Sequence, residues 1–365
     1  MQQWNRRWFL ATLAATCAAE PHGKGRTFPS VAARYADPAT EFTVLRLTDP
    51  QFSSSLPLAG NRGVTARSLL YASDMAGDWQ AFRMDLKNRE SRQLTEAAHL
   101  DPASIALLPK DRGFWHFDGP TLVETAFAGL KSRDVYHVPD SFEKLPGASY
   151  SEDGQYAAFV EKSATRYRLR LLHLQTGMDG TLVESPTELR DPLLRPRHAS
   201  LVYRNTGQPS MINFDGQQSR RLTLAEGQTL HFQWAADGHE LAYLNRPPDP
   251  HQLTTLRRWT PENAPDQASD ARIADTSQFV NFDGNADSSV FVGASGSKAS
   301  PYLLLLIRAG KRELTLAEHR ASDAALVNPI FAPNSQFVVF VSDRHGKPAI
   351  YWIAVDKLVS ETDGS

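Results

Sequence analysis

Residues 69–84 read Leu69-Leu70-Tyr71-Ala72-Ser73-Asp74, then Gly77, then Phe82 and Met84, and the phrase returns near the other end of the chain. There it reads Val338-Val339-Phe340-Val341-Ser342-Asp343, then Gly346, then Tyr351 and Ile353. Each copy predicts an apolar strand, a Ser-Asp turn closed by glycine, and a second strand of alternating apolar residues. Self-similarity of this kind indicates a repeat architecture.

Turn signals recur steadily between the two copies. Each of them precedes a new apolar strand, and they lie at Asp111-Arg112-Gly113, Asp153-Gly154, Asp237-Gly238 and Asn334-Ser335, with weaker copies at Asp283-Gly284 and over residues 195–204. The intervals are roughly 42 to 50 residues, the length of one four-stranded propeller blade. The sequence therefore divides into seven units with approximate boundaries at 62–97, 98–141, 142–188, 189–226, 227–274, 275–321 and 322–358.

The predicted fold is all-β, a seven-bladed β-propeller that forms a single domain over residues 41–358, with a tail at 359–365. The strand at 41–47 stands alone before the first unit, where it can complete the last blade and close the ring. Closure matters because an open sheet edge offers unpaired backbone groups to other chains. A pair of β-sandwiches is the alternative, although it does not require such regular spacing.

The composition excludes broad classes of partner. The chain has 365 residues, a net charge of −2, 41% apolar residues and 22% charged residues, as expected for a globular protein. A net charge near zero gives no electrostatic footprint for nucleic acid. An anionic ligand would have to be held by a local basic pocket.

The N-terminus predicts export. Arg6-Arg7 precedes a short apolar run and small residues up to Ala19, which resembles a twin-arginine signal over residues 1–19, followed by a linker over 20–40. The run is too short to span a bilayer, so we expect a periplasmic or secreted protein without a membrane span. A buried first helix or a disordered arm is the alternative. Cys17, the only cysteine, follows a poor lipid-attachment signal, so a lipoprotein is not expected.

Several catalytic motifs are absent from the sequence. No G-x-S-x-G elbow occurs, which argues against a serine hydrolase of the α/β type. His239-Glu240 begins like a zinc-protease helix but lacks the second histidine and lies in a strand pattern.

With the repeats placed, the chain resembles the oligogalacturonate lyase family of seven-bladed propellers over nearly all of residues 41–356. The likeness is clearest in five stretches, which lie at 44–48, 82–96, 231–238, 281–284 and 331–351. General blade phrases of this kind also occur in TolB-like and other WD40-like propellers. The H-x-x-W phrase at His231–Trp234 and the last two stretches are more specific to the lyases.

The resemblance implies a carbon–oxygen lyase that takes part in pectin degradation. Such an enzyme cleaves uronate oligosaccharides by β-elimination, in which a base removes the proton next to the sugar carboxylate. The base should titrate near neutrality, which suits histidine. His231 stands where the family pattern places its catalytic histidine and is the candidate base. The alternative is a structural histidine that bonds neighbouring carbonyls.

The resemblance also implies a manganese-type metal site, and here the sequence departs from the family. The family's two histidines ahead of the F-x-P-D turn fall at Leu326 and Asn328. Its other ligands fall near Asp323 and Gln278, and its charge-neutralising arginine falls near Gln208. Amide and carboxylate groups in this set would bind a transition ion poorly. Gln278, Asp323 and Asn328 are therefore degenerate versions of the family's ligand positions, and none of them is predicted as a metal ligand.

Basic residues elsewhere could hold an acidic oligosaccharide. Arg195 and Arg197 could clamp a carboxylate, and Lys298 lies in a small-residue loop at 293–301 that a ligand could approach. His319 lies in the lead-in to the last blade. Each has a plain alternative: solvated arginines, a flexible hairpin and an ordinary outer-strand histidine.

Two functions from different classes remain open at the level of sequence. The first is an oligogalacturonate-lyase-like enzyme, or a diverged form of one, acting on acidic oligosaccharides. The second is a non-catalytic TolB-like propeller that binds carbohydrate or presents one face to a protein partner. Loss of the histidine ligands favours the second.

Overall fold

The computed structural model describes residues 23–261 and 269–360. Within this part of the chain the strands form seven sheets, each with four or five strands. The export signal predicted over residues 1–19, with Cys17, lies outside the described residues. The all-β, seven-bladed propeller is confirmed.

The first three blades follow the chain in order. Blade 1 contains β1 (Thr27–Phe28), β4 (Ser54–Ser55), β5 (Ser68–Ser73), β6 (Gln80–Asp85) and β7 (Ser91–Gln93). Blade 2 contains β8 (Ala106–Leu107), β9 (Gly113–Asp118), β10 (Thr121–Ala126) and β11 (Ser132–His137). Blade 3 contains β12 (Glu143–Lys144), β13 (Ser149–Tyr150), β14 (Tyr156–Lys162), β15 (Tyr167–His173) and β16 (Asp179–Ser185).

The next three blades have four strands each. Blade 4 contains β17 (Leu189–Leu194), β18 (Ser200–Asn205), β19 (Gln208–Asn213) and β20 (Arg220–Arg221). Blade 5 contains β21 (Gln228–Trp234), β22 (Leu241–Arg246), β23 (Thr255–Trp259) and β24 (Asp270–Asp275). Blade 6 contains β25 (Phe279–Gly284), β26 (Val290–Ser295), β27 (Tyr302–Ile307) and β28 (Arg312–Glu318).

Blade 7 is shared by the two ends of the chain. It contains β29 (Ile330–Phe331), β30 (Phe337–Ser342) and β31 (Ala349–Ala354) from the last repeat, and β2 (Ala33–Ala36) and β3 (Thr43–Arg46) from the N-terminal region. β3 pairs antiparallel with β31, with Leu45 opposite Trp352. The predicted closure of the last blade by the strand at 41–47 is confirmed.

Short helices complete the secondary structure. Among the described residues they are three 3-10 helices, at Pro102–Ser104, Pro109–Asp111 and Ala324–Leu326, and α1 (Asp356–Ser360). None of the helices in the described part of the chain has both the length and the apolar composition that a membrane span requires.

Three sequence-derived boundaries need correction. Residues 27–36 were predicted to be linker, but β1 pairs with β7 and β2 pairs with β3, because each of these outer strands can add to an exposed sheet edge. The first blade begins at β4, ahead of the predicted boundary at 62. At the other end Val359, which falls in the predicted tail, is buried.

Blade packing explains the apolar strands that define the repeat. β5 and β30 are buried along their whole length because each lies in a sheet covered on both faces by neighbouring blades. Outer strands such as β11 are largely exposed and polar. Aromatic contacts join adjacent blades, as where Phe117 meets Phe159 edge-on at 5.2 Å between ring centroids.

The segment at 56–63, which we call the axial loop, joins β4 to β5 and crosses the hub. Asn61 Nδ2 donates to the carbonyl of Ala148 in blade 3 at 2.8 Å. The carbonyl of Arg62 accepts from Leu107 N in blade 2 at 2.8 Å. Gly60, with φ of +83°, lies so close to Leu193 of blade 4 that a Cβ would be 2.5 Å from its Cδ1. The loop therefore ties blade 1 to blades on the far side of the axis.

Candidate functional site

A cavity of about 790 Å³, which we call the central cavity, lies at one end of the propeller. Its rim is formed by turns that join the first and second strands of blades 3 to 6. The axial loop supplies Gly60 and Arg62, and the aromatic part of the wall includes Tyr150, Trp234 and Phe282. Antiparallel strands alternate in direction, so the connections between successive blades lie at the opposite end of the propeller.

The structure places His231 one side chain away from this cavity. His231 lies on β21, the innermost strand of blade 5, and its ring meets the Phe282 ring edge-on at 5.2 Å. Phe282 itself lines the cavity. The Nε2 atom of His231 is buried without a hydrogen-bond partner among the described residues. Burial, with a smaller effect from the charge of Arg204, lowers the pKa of His231 to about 4, so the imidazole is neutral at neutral pH.

A buried carboxylate joins blades 5, 6 and 7. Asp283 on β25 accepts hydrogen bonds from Gln233 Nε2 on β21 at 2.5 Å and from the backbone N–H of Phe331 on β29 at 2.7 Å. Burial raises the pKa of Asp283 to about 6 although these hydrogen bonds oppose the shift. Gln233 also lines the cavity. The N-F-D-G phrase at 281–284 thus forms part of the cavity wall, and its aspartate connects blade 6 to blades 5 and 7.

The two predicted carboxylate-binding arginines both line the central cavity. Arg195 is buried, its Nε donates to the carbonyl of Gly238 at 2.7 Å, and its guanidinium lies 5.2 Å from the Trp234 ring centroid. Arg197 is exposed, with its Nε 4.0 Å from a carboxylate oxygen of Glu152. Arg195 is therefore part of the cavity's framework, whereas the guanidinium of Arg197 can turn toward a ligand.

The other two predicted substrate-binding residues lie at the opposite end of the propeller. Lys298 and His319 line a second cavity of about 760 Å³, formed by the loop at 295–301 and the connection into blade 7. His319 is buried, with Nε2 bonded to the carbonyl of Ser295 at 2.9 Å and Nδ1 accepting from Ala321 N at 3.0 Å. Both ring nitrogens are thus occupied, and this geometry does not support contact between His319 and a substrate.

The positions that correspond to the family's metal ligands do not fit a manganese-type site. Asp323 caps the 3-10 helix at Ala324–Leu326 by accepting from Ala325 N, and Asn328 Nδ2 donates to the carbonyl of Pro57 in the axial loop at 2.9 Å. Gln278 is exposed and has a φ of +58°. Over residues 23–261 and 269–360, no three His, Cys, Asp or Glu side chains are grouped so as to hold a metal ion.

One buried charge near His231 was missed by the sequence analysis. Arg204 lies on β18 and is 5% exposed, and its guanidinium bonds to the backbone of β21 just before His231. Gln208, which falls nearest to the family's arginine, instead begins the third strand of blade 4, where its Oε1 accepts from Arg221. The sequence signal for Arg204 was its place at the end of the apolar run that begins at Leu201. Charged residues are rarely buried unless they are paired.

Comparison with known proteins gives relatives that match almost end to end. No protein-family model matches the chain. An oligogalacturonide lyase from Pectobacterium atrosepticum is 24% identical, over 90% of this chain and 97% of the relative. An oligogalacturonate lyase from Dickeya dadantii is 22% identical, over 87% of this chain and 94% of the relative.

Solved structures give the same result for the fold. An oligogalacturonate lyase in complex with manganese superimposes with a TM-score of 0.82 at 23% identity, covering 91% of this chain and 98% of that structure. These similarities confirm the resemblance to oligogalacturonate lyases that the sequence motifs indicated, and they confirm the fold.

Proposed function

We propose that this chain is an oligogalacturonate-lyase-like protein that cleaves acidic (uronate) oligosaccharides by β-elimination. The observation that carries the proposal is the position of His231, which belongs to the H-x-x-W phrase and lies beside the central cavity with an unpartnered, buried ring nitrogen. The end-to-end similarity to proteins named for this activity supports it.

The chemistry requires one proton transfer and one bond cleavage at the sugar. An imidazole nitrogen of His231 accepts the proton from the carbon next to the carboxylate, the electron pair forms a carbon–carbon double bond, and the oxygen on the neighbouring carbon leaves. A neutral imidazole has the free lone pair that this step needs. Phe282 contacts the His231 ring and lines the cavity, so a movement of its side chain would open a path from the cavity to the base.

Charge on the substrate carboxylate must be neutralised as the proton leaves. The central cavity offers Arg197 for this role, since its guanidinium is exposed and only loosely paired with Glu152. Arg195 fixes the turn at Gly238 and the indole of Trp234, on which a sugar ring can stack. The positions of Gln278, Asp323 and Asn328 hold no group suited to a transition ion, so the proposal assigns no step to a metal.

A second candidate is a propeller that binds acidic sugars without cleaving them. The observation that favours it is Asn328, whose amide is bonded to the axial loop where the family has a metal-binding histidine. The lowered pKa of His231 points the same way, because a base that binds protons weakly gives less help to the removal of a weakly acidic proton.

A direct assay separates the two candidates. The protein is incubated with oligogalacturonides, with added manganese or with a chelator, and the ultraviolet absorbance of the unsaturated product is followed. Calorimetric titration with the same oligosaccharides measures binding, and a neutral oligosaccharide of equal length is the control. A lyase gives product, a binding protein gives heat without product, and absence of both removes the assignment to acidic oligosaccharides in favour of a protein-binding scaffold.

We also propose that the protein is exported, to the periplasm or beyond the cell. The support is the Arg6-Arg7 pair ahead of a short apolar run. Cell fractionation and N-terminal sequencing of the mature protein test this: a product that begins near residue 20 outside the cytoplasm is expected. An unprocessed chain confined to the cytoplasm would contradict export.

A further inference from the structure

The strand that carries His231 is irregular at this residue. β21 pairs with β22 through Thr229 opposite Asn245 and then through Phe232 opposite Tyr243, so two residues of β21 face one residue of β22. Leu230 and His231 are the unpaired residues of this β-bulge. A bulge redirects side chains and leaves backbone groups without their ladder partners.

The side chain of Arg204 donates hydrogen bonds to the carbonyls at the bulge. Its Nη1 donates to the carbonyl of Thr229 at 3.0 Å, and its Nη2 donates to the carbonyl of Leu230 at 3.2 Å. A third bond from Nη1 reaches the carbonyl of Gly207 at 3.2 Å. One planar guanidinium therefore spans the two residues that immediately precede His231.

The guanidinium has further contacts in blades 4 and 5. Arg204 Nε donates to Asp191 Oδ2 at 3.0 Å, and the guanidinium lies 4.7 Å from the Phe232 ring centroid. Asp191 lies in a second bulge, on β17, and has a φ of +51°. A residue other than glycine in this conformation carries strain, so its place in the structure is set by surrounding contacts.

We propose that Arg204 is a positioning residue for His231, because its guanidinium fixes the bulge of β21 and Asp191 fixes the guanidinium. The inference rests on the proposed function for its catalytic meaning, since a fixed bulge serves a base that must meet its substrate in one geometry. Arg204 does not touch the cavity and takes no part in the chemical step.

Lysine cannot replace arginine in this arrangement. Its ammonium is a single point, whereas the two carbonyls at the bulge and the carboxylate of Asp191 are met by separate nitrogens of the guanidinium fork. Arg204→Lys keeps the charge beside His231 and loses the bidentate grip. It therefore separates positioning from electrostatics.

The test uses the histidine ring signals of the full-length protein in NMR, with His231 assigned by comparison with His231→Ala. In Arg204→Lys we expect the His231 ring signals to shift and broaden while those of His116 stay in place. The matched control is Arg221→Lys, an exposed arginine of the same blade bonded to Gln208, which should leave the His231 signals unchanged.

If the lyase activity is present, Arg204→Lys should lower kcat by about tenfold to a hundredfold with little change in KM. If the unaltered protein shows no turnover, the proposed lyase function is wrong. The His231 ring signals still test whether Arg204 positions His231. A folded Arg204→Lys protein whose His231 signals match those of the unaltered protein would overturn the proposal. If Arg204→Lys does not fold, Asp191→Asn must produce a smaller shift of the His231 ring signals in the same direction. Unchanged His231 signals in Asp191→Asn would also overturn the proposal.

Discussion

At the scale of single residues, His231 makes the fold sensitive to acid. Burial lowers its pKa in the folded protein to about 4, whereas the ordinary value of 6.5 applies when the chain is unfolded. Between these values the unfolded chain binds a proton that the folded chain refuses, so stability falls as the pH drops from about 6.5 to about 4.

The expected result is that His231→Gln loses less stability on acidification than the unaltered protein. The difference between pH 7 and pH 5 should be about 1 to 2 kcal/mol in the free energy of unfolding, measured by urea denaturation at both values. His116, whose pKa is also lowered to about 4 by burial, contributes the same slope in both proteins and cancels. An identical loss in the variant would show that the imidazole is not held in the neutral form.

Asp283 responds to pH in the opposite direction. Its pKa in the folded protein is raised to about 6 from 3.8, so the folded form holds a proton that the unfolded chain has released. The stability gained from this group is complete below about 3.8 and is lost as the pH rises through about 6. At neutral pH the buried charge is a cost offset in part by its hydrogen bonds.

We therefore expect Asp283→Asn to unfold at or above the temperature of the unaltered protein at pH 8. The asparagine oxygen can accept from Phe331 N, and its amide can donate to Gln233 Oε1, which is buried and unpartnered in the described structure. Asp283→Leu, which leaves the Phe331 N–H unpaired, should lose about 1 to 3 kcal/mol. Thermal unfolding of both variants decides the matter, and a less stable asparagine variant than leucine variant would contradict this account.

Sequence patterns indicated some residues at or near the central cavity and missed Arg204 for a physical reason. His231, Arg195 and Arg197 stand in recognisable phrases, so the sequence alone indicated them. Arg204 bonds across blades to backbone carbonyls at a bulge. Which backbone carbonyls lack partners depends on strand register, which the pattern of side chains does not contain.

At the scale of elements, the turn between β21 and β22 sets one wall of the cavity. Gly238 has a φ of +75°, and a Cβ there would lie 2.2 Å from the carbonyl oxygen of Pro196. Gly216, in the turn between β19 and β20, has a φ of +76° and nothing within 4 Å of its Cβ position. Both glycines have the left-handed backbone conformation, but only at Gly238 would an added Cβ collide with a neighbouring residue.

We expect Gly216→Ala to cost about 1 kcal/mol, from the left-handed conformation alone. Gly238→Ala should cost clearly more and weaken oligosaccharide binding, because the backbone of 196–198 must move and it carries the Arg197 side chain into the cavity. Thermal unfolding and calorimetric titration of the two variants give the comparison. Equal losses of stability in the two variants would contradict this expectation, because they would show that the backbone around Gly238 moves at no cost.

Long, periodic strands were predictable, and short outer strands were not. The apolar runs of β5 and β30 identify themselves because both faces are buried. β1 has two residues and β2 alternates between exposed and half-buried positions, so composition alone resembles a linker. They become strands because a blade edge with free backbone groups lies beside them.

At the scale of the whole molecule, closure of the ring depends on the N-terminal strands. β3 gives blade 7 its fourth strand, and Val44 is fully buried in the core between blades 6 and 7. A chain that begins at residue 48 should therefore expose the edge of β31 and associate or aggregate. A chain that begins at residue 41 keeps β3 and loses the outer strands β1 and β2, so it should keep the oligomeric state of the whole chain with a lower Tm. Size-exclusion chromatography tests this, and monomeric behaviour of the shorter chain would contradict the closure.

The repeat predicted the number of blades but not what fills the hub. The axial loop shows no periodic pattern, and its contacts reach residues more than 80 positions away, as between Asn61 and Ala148. Such contacts follow only from the assembled ring. The separation of Arg195 and Arg197 from Lys298 and His319 has the same origin, because strand direction decides the end of the propeller at which each loop emerges.

Proton removal by His231 is tested by turnover of oligogalacturonides by the unaltered protein and by His231→Ala, followed by ultraviolet absorbance of the unsaturated product. His137→Ala, an exposed histidine bonded to Thr121 on an outer strand, is the matched control. We expect product from the unaltered protein and from the control, and none from His231→Ala at an unfolding temperature close to theirs. Full turnover by a folded His231→Ala protein would contradict it.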